Sequence, residues 1–499
     1  MERSILIGID LGTTALKAGA FDARSGRRLA AASVRLPVRS RADGTREQDV
    51  GAVERALRGA AASIREQLGA GWRRVAGAGL CAQGGSAIVA DRDTGRARTP
   101  MQLWNDMRPL HRRPGIAARK PPAYWRRFSY LDDPGAGLCR IEWLRERQPG
   151  LFDGSAIYAG AGEYLYQKLT GAWRQDAGNA LQIGCYDARR RRIIASPLRL
   201  VGAEPSLVAP MRDGHEVHAL ARAGARLLGL PEGVPVAGPY MDHEAGYLAA
   251  AGPGGRPLQC SLGTAWVGNF VARRGTPPPG FNLVLPSPVD DGDLIVRVIA
   301  AGTATWDWAV GELLGQRGAD GIRRAGAILR GSPLPPSGLV GLPWLTTVNP
   351  LVHGAVGAGG FLGVSPHTSP GDLLRAAAAG LCCEMAFAFG HVRDAGIVDR
   401  VVLAGGASNG PHFRRLLAAF FAPLPVFHVA AVDAPGARGC LWAFSRAAAA
   451  APVRRVPGPS QDLRRRCLAA LDEYNRACEA LARGLPRGML QFYHRGTAR

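Results

Sequence analysis

Lysine is almost absent from this 499-residue chain, which contains only Lys17, Lys120 and Lys168. Arginine supplies the rest of the 62 basic residues, and the formal net charge is +22. An excess of this size ordinarily suggests nucleic acid or an anionic membrane as a partner. The arginines are spread along the whole chain, however, which is typical of a coding bias rather than of a binding patch. We therefore expect no nucleic-acid and no membrane partner, and we interpret the densest run, residues 189–192, as a solvated turn.

The sequence also lacks cysteine patterns typical of disulfides or zinc sites, and it lacks long apolar runs. The nine cysteines include no C-x-x-C pair, and their odd number does not match a disulfide framework or a zinc site. No stretch of 18 uninterrupted apolar residues occurs, and the first residues contain no apolar signal core. These absences favour a protein of the reducing cytoplasm.

The chain has no G-x-x-x-x-G-K-[ST] motif, which excludes a Walker-type nucleotide site. Its length exceeds the size at which a single core stops growing, so we expect two domains. Short apolar runs alternate with segments of helical period, which indicates an α/β fold. The predicted strands include residues 5–9, 75–80, 234–237, 258–262 and 401–404, and the predicted helices include residues 53–68, 138–147, 370–395 and 411–422. We place the domains at 1–247 and 248–456, with a C-terminal helical extension at 457–499.

One short pattern occurs twice, half a chain apart. Residues 7–14 read Ile-Gly-Ile-Asp-Leu-Gly-Thr-Thr, and residues 260–265 read Cys-Ser-Leu-Gly-Thr-Ala. Each copy predicts a strand, a Leu-Gly-Thr turn and a second strand. Glycine lets the backbone approach a phosphate oxygen, and threonine adds a hydroxyl donor. Two such hairpin tips facing each other would clamp a polyphosphate, although hairpin turns use both residues for structural reasons as well.

Two carboxylates follow predicted strands. Asp10 ends the first strand beside the phosphate-binding turn, where a carboxylate can hold Mg²⁺ directly or through water, or can simply shape the turn. Asp242 follows a strand and precedes an Ala/Gly-rich helix start, so it is either a helix N-cap or a catalytic base. Farther along, residues 401–410 predict a strand, a Gly-Gly turn and an Asn409 at the cap of the next helix. Such an edge admits a flat base and a ribose, and a helix N-terminus favours phosphate.

These pieces together resemble the FGGY carbohydrate kinases, a family that includes xylulokinases, ribulokinases, gluconokinases and glycerol kinases. The resemblance runs from about residue 5 to 450. It is carried in order by residues 7–17, by Gln83 in Cys-Ala-Gln-Gly-Gly, by Leu-Trp-Asn-Asp-Met-Arg at 103–108, by Asp242 with Gly246, by Ser-Leu-Gly-Thr at 261–264, and by Gly-Gly-Ala at 405–407 followed by Phe-Arg-Arg-Leu-Leu at 413–417.

The resemblance implies two α/β domains of the actin/hexokinase (ribonuclease H-like) type flanking an interdomain cleft, with ATP and Mg²⁺ as cofactors and a small sugar or polyol as substrate. The resemblance leaves open whether the chain forms a homodimer. Asp10 would hold Mg²⁺ through water, and Asp242 would accept the proton of the attacked hydroxyl. The phosphates would meet Gly12, Thr13, Thr14, Lys17, Gly263 and Thr264, the nucleoside would border Gly405, Gly406 and Asn409, and the sugar would contact Gln83, Trp104, Asn105, Asp106, Arg108 and Asp242.

The chain departs from the family pattern at several points. The Ser-Gly-Glu-Arg-x-Pro loop of many members is replaced by Leu-Thr-Thr-Val-Asn-Pro after Pro343-Trp344, Arg438 replaces a leucine, and His243 and Glu244 replace the frequent Asn-Ala. These changes bear on which sugar is bound more than on which reaction is catalysed. We expect the substrate to be a ketose or related polyol, with xylulose or ribulose as first guess. A degenerate, non-catalytic sugar or nucleotide sensor and an actin-like ATPase are the alternatives.

Overall fold

A computed structural model describes residues 4–252, 254–263, 265–277, 282–299, 302–344, 359–430 and 434–482. The strands of the first half are β1 (Ile5–Leu11), β2 (Ala15–Asp22), β3 (Arg28–Arg35), β4 (Arg39–Ser40), β5 (Arg46–Gln48), β6 (Val75–Ala82), β7 (Ala87–Asp91), β8 (Met101–Gln102), β9 (Ala156–Gly160), β10 (Tyr186–Asp187), β11 (Arg192–Ile193), β12 (Val217–Ala219) and β13 (Pro235–Met241). Its helices are α1 (Val50–Leu68), α2 (Arg113–Ala117), α3 (Pro122–Ser129), α4 (Ala136–Arg147), α5 (Ala161–Thr170), α6 (Ala177–Ile183), α7 (Ala195–Arg199), α8 (Arg222–Leu228) and α9 (Asp242–Ala251).

The first half is built on a six-stranded sheet in the order β12-β13-β6-β1-β2-β3. β1 and β2 form an antiparallel hairpin, and β6 lies parallel to β1 on its other side. β13 in turn lies parallel to β6, so β1, β6 and β13 end at the same edge of the sheet. Asp10, Gln83 and Asp242 stand at or just beyond these three strand ends. A separate five-stranded sheet, in the order β4-β5-β8-β7-β9, carries the loop that contains Trp104.

The second half contains the strands β14 (Pro257–Leu262), β15 (Trp266–Ala272), β16 (Leu283–Pro286), β17 (Asp293–Val298), β18 (Val340–Leu342), β19 (Gly360–Leu362), β20 (Arg400–Ala404), β21 (Val426–Val429) and β22 (Val453–Arg455). Its helices are α10 (Thr303–Leu314), α11 (Gly318–Gly331), α12 (Pro370–Asp394), α13 (Pro411–Phe420), α14 (Pro435–Gly439), α15 (Arg446–Ala449) and α16 (Gln461–Ala482). Seven strands form one sheet in the order β16-β17-β15-β14-β20-β21-β22. β14 and β15 form the second hairpin, and β20 runs parallel to β14, as β6 does to β1.

The predicted elements are confirmed, with shifts of a few residues at their ends. The alternation of apolar strands and amphipathic helices produces this result, since the central strands of the two large sheets are almost wholly buried. The long apolar helix α12 begins at a capping box formed by Ser369 and Asp372. It is long and apolar enough to cross a membrane by composition, but 78% of its most apolar window is buried inside the fold. Its hydrophobicity is therefore accounted for by the core of the second half.

A segment near the end of the second half packs on the sheet of the first. α14 lies against β1 so closely that a side chain at Gly8 would overlap the carbonyl oxygen of Ala437. Arg438, the residue that departs from the family leucine, is 2% exposed and donates to the carbonyl oxygens of Gly26, Ala448 and Ala450 at 3.0–3.2 Å. Its guanidinium also lies over the ring of Phe21, 4.4 Å from the ring centroid. The two halves therefore share a core around α14.

Candidate active site between the two sheets

The tip of the first hairpin joins the phosphate motif to the predicted sugar residues. The hydroxyl of Thr13 donates to Gln83 Oε1 at 2.8 Å and accepts from Trp104 Nε1 at 3.0 Å. The Thr13 carbonyl accepts from Gln48 Nε2 at 2.7 Å, and Gln83 Nε2 completes the ring by donating to Gln48 Oε1 at 3.4 Å. A hydroxyl has one proton to donate, so that of Thr13 is committed to Gln83. The structure thus brings Thr13, Gln83 and Trp104 together, and adds Gln48.

The loop that carries Trp104 is held by a cluster of charges. Both carboxylate oxygens of Asp106 accept from the Arg108 guanidinium, at 2.6–3.2 Å, and Asp106 is 1% exposed. Arg108 also pairs with Glu47 at 2.5 Å and lies over the ring of Trp143. The paired carboxylates occupy the guanidinium fork that a sugar would otherwise use. Asp106 and Arg108 are thereby placed to hold the loop in shape.

Asn105 and Trp104 occupy the same loop. Trp104 is half-buried, and its backbone N–H donates to Ser86 Oγ at 3.0 Å. The Oδ1 atom of Asn105 is buried and has no hydrogen-bond partner among the described residues. A buried polar atom without a partner is unusual, so this amide is open to a ligand hydroxyl or to water.

Asp10 and Asp242 lie at the ends of β1 and β13, on either side of β6, near enough for the charge of Asp242 to act on Asp10. Burial raises the pKa of Asp10 to about 6; Lys17, its cross-strand neighbour, opposes this rise and the charge of Asp242 adds to it. The N-cap of α9 is Met241, so Asp242 is the first helical residue and not the cap. Its Oδ1 accepts from the N–H of His243 at 2.9 Å, and the rest of the half-buried carboxylate is left for a ligand.

This pair of carboxylates fits a cation. Two acids whose charges repel are stabilised by a metal or by a proton between them. The described residues contain no cluster of three or more His, Cys, Asp or Glu side chains that would hold a metal unaided. Two carboxylates alone suit Mg²⁺, because this ion keeps several waters and takes its other ligands from substrate phosphates.

The second hairpin tip lies beside a cavity of about 780 Å³. The carbonyl of Gly263 accepts from the N–H of Thr303 at 3.2 Å, and Thr303 lines the cavity. Gly405 has a φ of 92° and contacts the backbone of Leu262, and a Cβ there would lie 2.8 Å from the Leu262 carbonyl carbon. Only glycine accepts both this φ and this approach. Thr264 lies outside the described residues.

Gly406 and Asn409 line the same cavity, with Trp306 and His412 on its wall. Asn409 ends a 3₁₀ turn, and the cap of α13 is Gly410, so the predicted capping role of Asn409 is wrong. The rings of Trp306 and His412 lie 5.4 Å apart. Burial lowers the pKa of His412 to about 4, with help from Arg414, so its ring is neutral at pH 7. A cavity of this size with aromatic walls and a few polar groups suits a nucleoside.

Several residues of the site were missed by reading the sequence. Gln48 and Glu47 lie in a three-residue strand with no motif around them. Trp306 lies in no motif, and His412 follows the Gly-Gly turn at 405–406 without being part of its pattern, so only their aromatic character distinguishes them. Their contribution depends on which strands and helices meet at the sheet edge, and that is a property of the tertiary fold.

Comparison with known proteins identifies the family. Residues 5–249 match the model of the N-terminal domain of the FGGY family of carbohydrate kinases. The chain belongs to this family. That match contains the first hairpin, Gln83, the Trp104 loop and Asp242, which carried the N-terminal part of the resemblance in the sequence.

Curated and solved relatives agree with the assignment to the FGGY family. A glycerol kinase of Methylobacterium nodulans is 28% identical over 259 residues, covering 50% of each chain. A xylulose kinase of Streptomyces coelicolor is 27% identical over 283 residues, covering 56% of each. These matches span about half the length of the curated relatives. The crystal structure of xylulose kinase from Rhodospirillum rubrum superposes with a TM-score of 0.83 over 96% of this chain and 99% of that one, at 21% identity. It shows that the whole FGGY fold is present, with its two actin/hexokinase-like domains.

Two of the departures from the FGGY pattern have structural explanations. Glu244 pairs with Arg212 at 2.7 Å, and both side chains are nine-tenths buried. Glu244 is thus held by Arg212 in the neighbouring buried region. Arg438 fills the shared core described above. The altered loop after Trp344 lies outside the described residues.

Proposed function

We propose that this protein is an ATP-dependent carbohydrate kinase that transfers the γ-phosphoryl group to a hydroxyl of a ketose or related polyol. The observation that carries the proposal is the pair Asp10 and Asp242 at one sheet edge, beside a phosphate-type hairpin whose tip is hydrogen-bonded to Gln83 and Trp104. Family membership, and relatives described as glycerol and xylulose kinases, support it. Xylulose and ribulose are our first candidates for the substrate.

In the proposed reaction, a sugar hydroxyl lies between Trp104 and Asp242. Asp242 accepts its proton as the oxygen attacks the γ-phosphorus, the bond from that phosphorus to the bridging oxygen breaks, and ADP leaves. The indole face of Trp104 would cover the C–H face of the sugar, because its N–H is already used by Thr13. Mg²⁺ beside Asp10 would offset the negative charge of the phosphates. Gly12, Thr14, Lys17 and the second tip are proposed to surround those phosphates, since positioning and charge stabilisation dominate phosphoryl transfer.

The nucleotide is proposed to occupy the 780 Å³ cavity. Gly406 and Asn409 would border the ribose, and Gly405 would let the backbone come close to the second tip. The neutral ring of His412 next to Trp306 gives the base an aromatic wall. Because this wall belongs to the second half and the sugar residues to the first, transfer would occur at the seam between them.

The proposal is tested with Asp242→Asn, a substitution that keeps the size of the side chain and removes the base. We expect a loss of about 10²–10⁴-fold in kcat, with sugar and ATP binding retained. Product formation from xylulose, ribulose, glycerol and gluconate is followed by mass spectrometry, and binding by calorimetry. Asp93→Asn, at an exposed acid in a turn, is the matched control.

The alternatives give different results in the same assay. Hydrolysis of ATP at the same rate with and without each sugar would indicate an actin-like ATPase. Sugar binding without any phosphorylated product would indicate a sensor. Turnover of Asp242→Asn within about tenfold of the parent enzyme would remove Asp242 from the mechanism.

A further inference from the structure

Gln182 stands beside the predicted sugar residues, and no motif singled it out. It lies near the end of α6, and its amide packs on the backbone of Gly84 and Gly85, directly after Gln83. A Cβ at residue 84 would lie 2.5 Å from Gln182 Nε2, and one at residue 85 would overlap Gln182 Oε1. Gly85 also adopts a φ of 74°. The two glycines therefore leave the space that the amide fills.

The same amide borders Trp104 and the strand that leads to Asp242. A Cβ at Gly85 would lie 3.4 Å from the Cβ of Trp104. Gln182 Nε2 lies 3.6 Å from Met241 Sδ, and Met241 precedes Asp242. Gln182 thus lies against the glycine turn that contacts Trp104 and against the residue that precedes Asp242.

The hydrogen-bonding capacity of Gln182 is almost unused. Its one hydrogen bond within the described residues is to the Met241 thioether, which is a weak acceptor. The side chain is only half-buried, so a ligand bound beside Trp104 and Asp242 would find this amide accessible. An amide placed in this way can donate to one hydroxyl and accept from another.

The support beneath Gln182 is rigid. The carboxylate of Asp176 caps α6 by accepting from the N–H of Asn179 at 2.8 Å. Gly178 packs on Met241 without room for a side chain, which fixes α6 against the end of β13. A side chain on a short capped helix of this kind selects ligands more sharply than one on a loop.

The charges around this pocket disfavour an acidic substrate. The Arg108 guanidinium is paired with both Asp106 and Glu47. Arg140, which is 2% exposed, donates to the carbonyl oxygens of Gly85 at 2.9 Å and Leu103 at 3.0 Å. Neither arginine is left to meet a carboxylate, and Gln182 itself is neutral.

We infer that the Gln182 amide forms a hydrogen bond with a hydroxyl of the substrate. The sugar site formed with Trp104 and Asp242 would then bind a neutral polyhydroxy compound, a ketose or polyol, more tightly than an aldonate. This inference rests on the proposed function, because it assigns the acceptor end of the same site. Gln182 is a specificity residue here and takes no part in proton transfer.

The test uses Gln182→Met, which keeps the length of the side chain and removes the amide, and Gln182→Ala as a second variant. We expect KM for the preferred neutral substrate to rise about tenfold to a hundredfold, because the hydroxyl loses its partner. KM for ATP and kcat stay within about threefold of the parent, a shift too small for the loss of a catalytic group. Gln67→Met, on the outer face of α1, is the matched control.

Calorimetric binding without ATP separates this inference from the proposed function. Xylulose, ribulose and glycerol should bind the parent enzyme more tightly than gluconate does, and Gln182→Met should erase that advantage. Neutral substrates that bind in this way but are never phosphorylated would refute the kinase proposal and leave the role of Gln182 intact. The inference is overturned by an unchanged KM and affinity in both variants, by a fall in kcat alone, or by gluconate binding as well as the neutral compounds.

Discussion

At the scale of single residues, the structure shows which partners a side chain contacts, and the sequence alone leaves this open. The Leu-Gly-Thr motif suggests that the Thr13 hydroxyl faces a phosphate. In the structure that hydroxyl donates to Gln83 and accepts from Trp104, on the sugar side of the turn. The residue types of the motif therefore indicate the site, whereas the atom that each residue presents depends on neighbours from β5, β6 and the Trp104 loop.

The substitution Thr13→Val tests whether the Thr13 hydroxyl supports sugar binding or phosphate binding. Valine keeps the shape and removes the oxygen, so Gln83 and Trp104 each lose a partner. We expect KM for the sugar to rise about tenfold, since a buried partner is left unsatisfied, with a smaller change in KM for ATP. Steady-state kinetics with each substrate varied in turn measures both.

Thr13→Ser retains the hydroxyl and should stay near the parent values, which makes it the control. If instead Thr13→Val raised KM for ATP or lowered kcat while leaving the sugar KM unchanged, the hydroxyl would face the γ-phosphate, as the motif first suggested.

At the scale of elements, a buried pair of acids joins α5 to α6: Glu163 lies in α5, and Asp176 is the N-cap of α6. Burial raises the pKa of Asp176 to about 6, with a further rise from Glu244, while the N–H of Asn179 and the charge of Arg212 lower it. Burial and the charge of Asp176 also raise the pKa of Glu163, which is buried next to it. Both shifts disfavour the ionised forms, so the ionisation of these carboxyl groups carries a cost to the folded state.

Asp176→Asn should remove that cost and keep the cap, because asparagine caps helices as well as aspartate does. The folded pKa of Asp176 lies above the unfolded value, so its ionisation destabilises the fold increasingly between about pH 4 and 6 and fully above. We expect the variant to be more stable than the parent by about 1–3 kcal/mol at pH 7 and unchanged near pH 4.

Urea denaturation at pH 4, 5, 6 and 7 measures this difference. Asp93→Asn, at an exposed position, should show no such dependence. A variant that is equally destabilised at every pH would mean that the Asp176 carboxylate is needed to orient α6.

Most elements were predictable, because strand and helix periods are local properties of the sequence. The five predicted strands and four predicted helices occur within a few residues of their expected positions. Local signals did not reveal partners that are distant in sequence. Arg191, within the run interpreted as a solvated turn, instead donates to Asp293 at 3.1 Å and to the carbonyl of Asp291 at 2.8 Å, joining the first half to the start of β17 in the second sheet.

At the scale of the whole molecule, a helix from the second half of the chain packs on the sheet of the first half. The domain limits at 247 and 456 remain a prediction, and α14, which falls inside the second range, packs on β1 of the first. A side chain at Gly439 would overlap the carbonyl of Ala245, and one at Gly436 would lie 2.6 Å from the carboxylate of Asp10. Glycines in α14 and in β1 allow this approach. The contacts of α14 with β1 join residues more than 400 positions apart in the chain, so single-sequence patterns do not reveal them.

Gly8→Ala tests whether this seam holds the active site together. The added methyl would meet the backbone oxygen of Ala437, and backbone yields less readily than a flexible side chain. We expect a loss of about 3 kcal/mol or more in stability, and a fall in kcat, because Asp10 lies two residues away on the same strand. Gly115→Ala in α2, where a methyl would meet no atom within 4 Å, is the matched control. Thermal unfolding and sugar turnover are measured together. A Gly8→Ala protein as stable and active as the control would mean that α14 moves aside readily, and that its contact with the first sheet is not what fixes the position of Asp10.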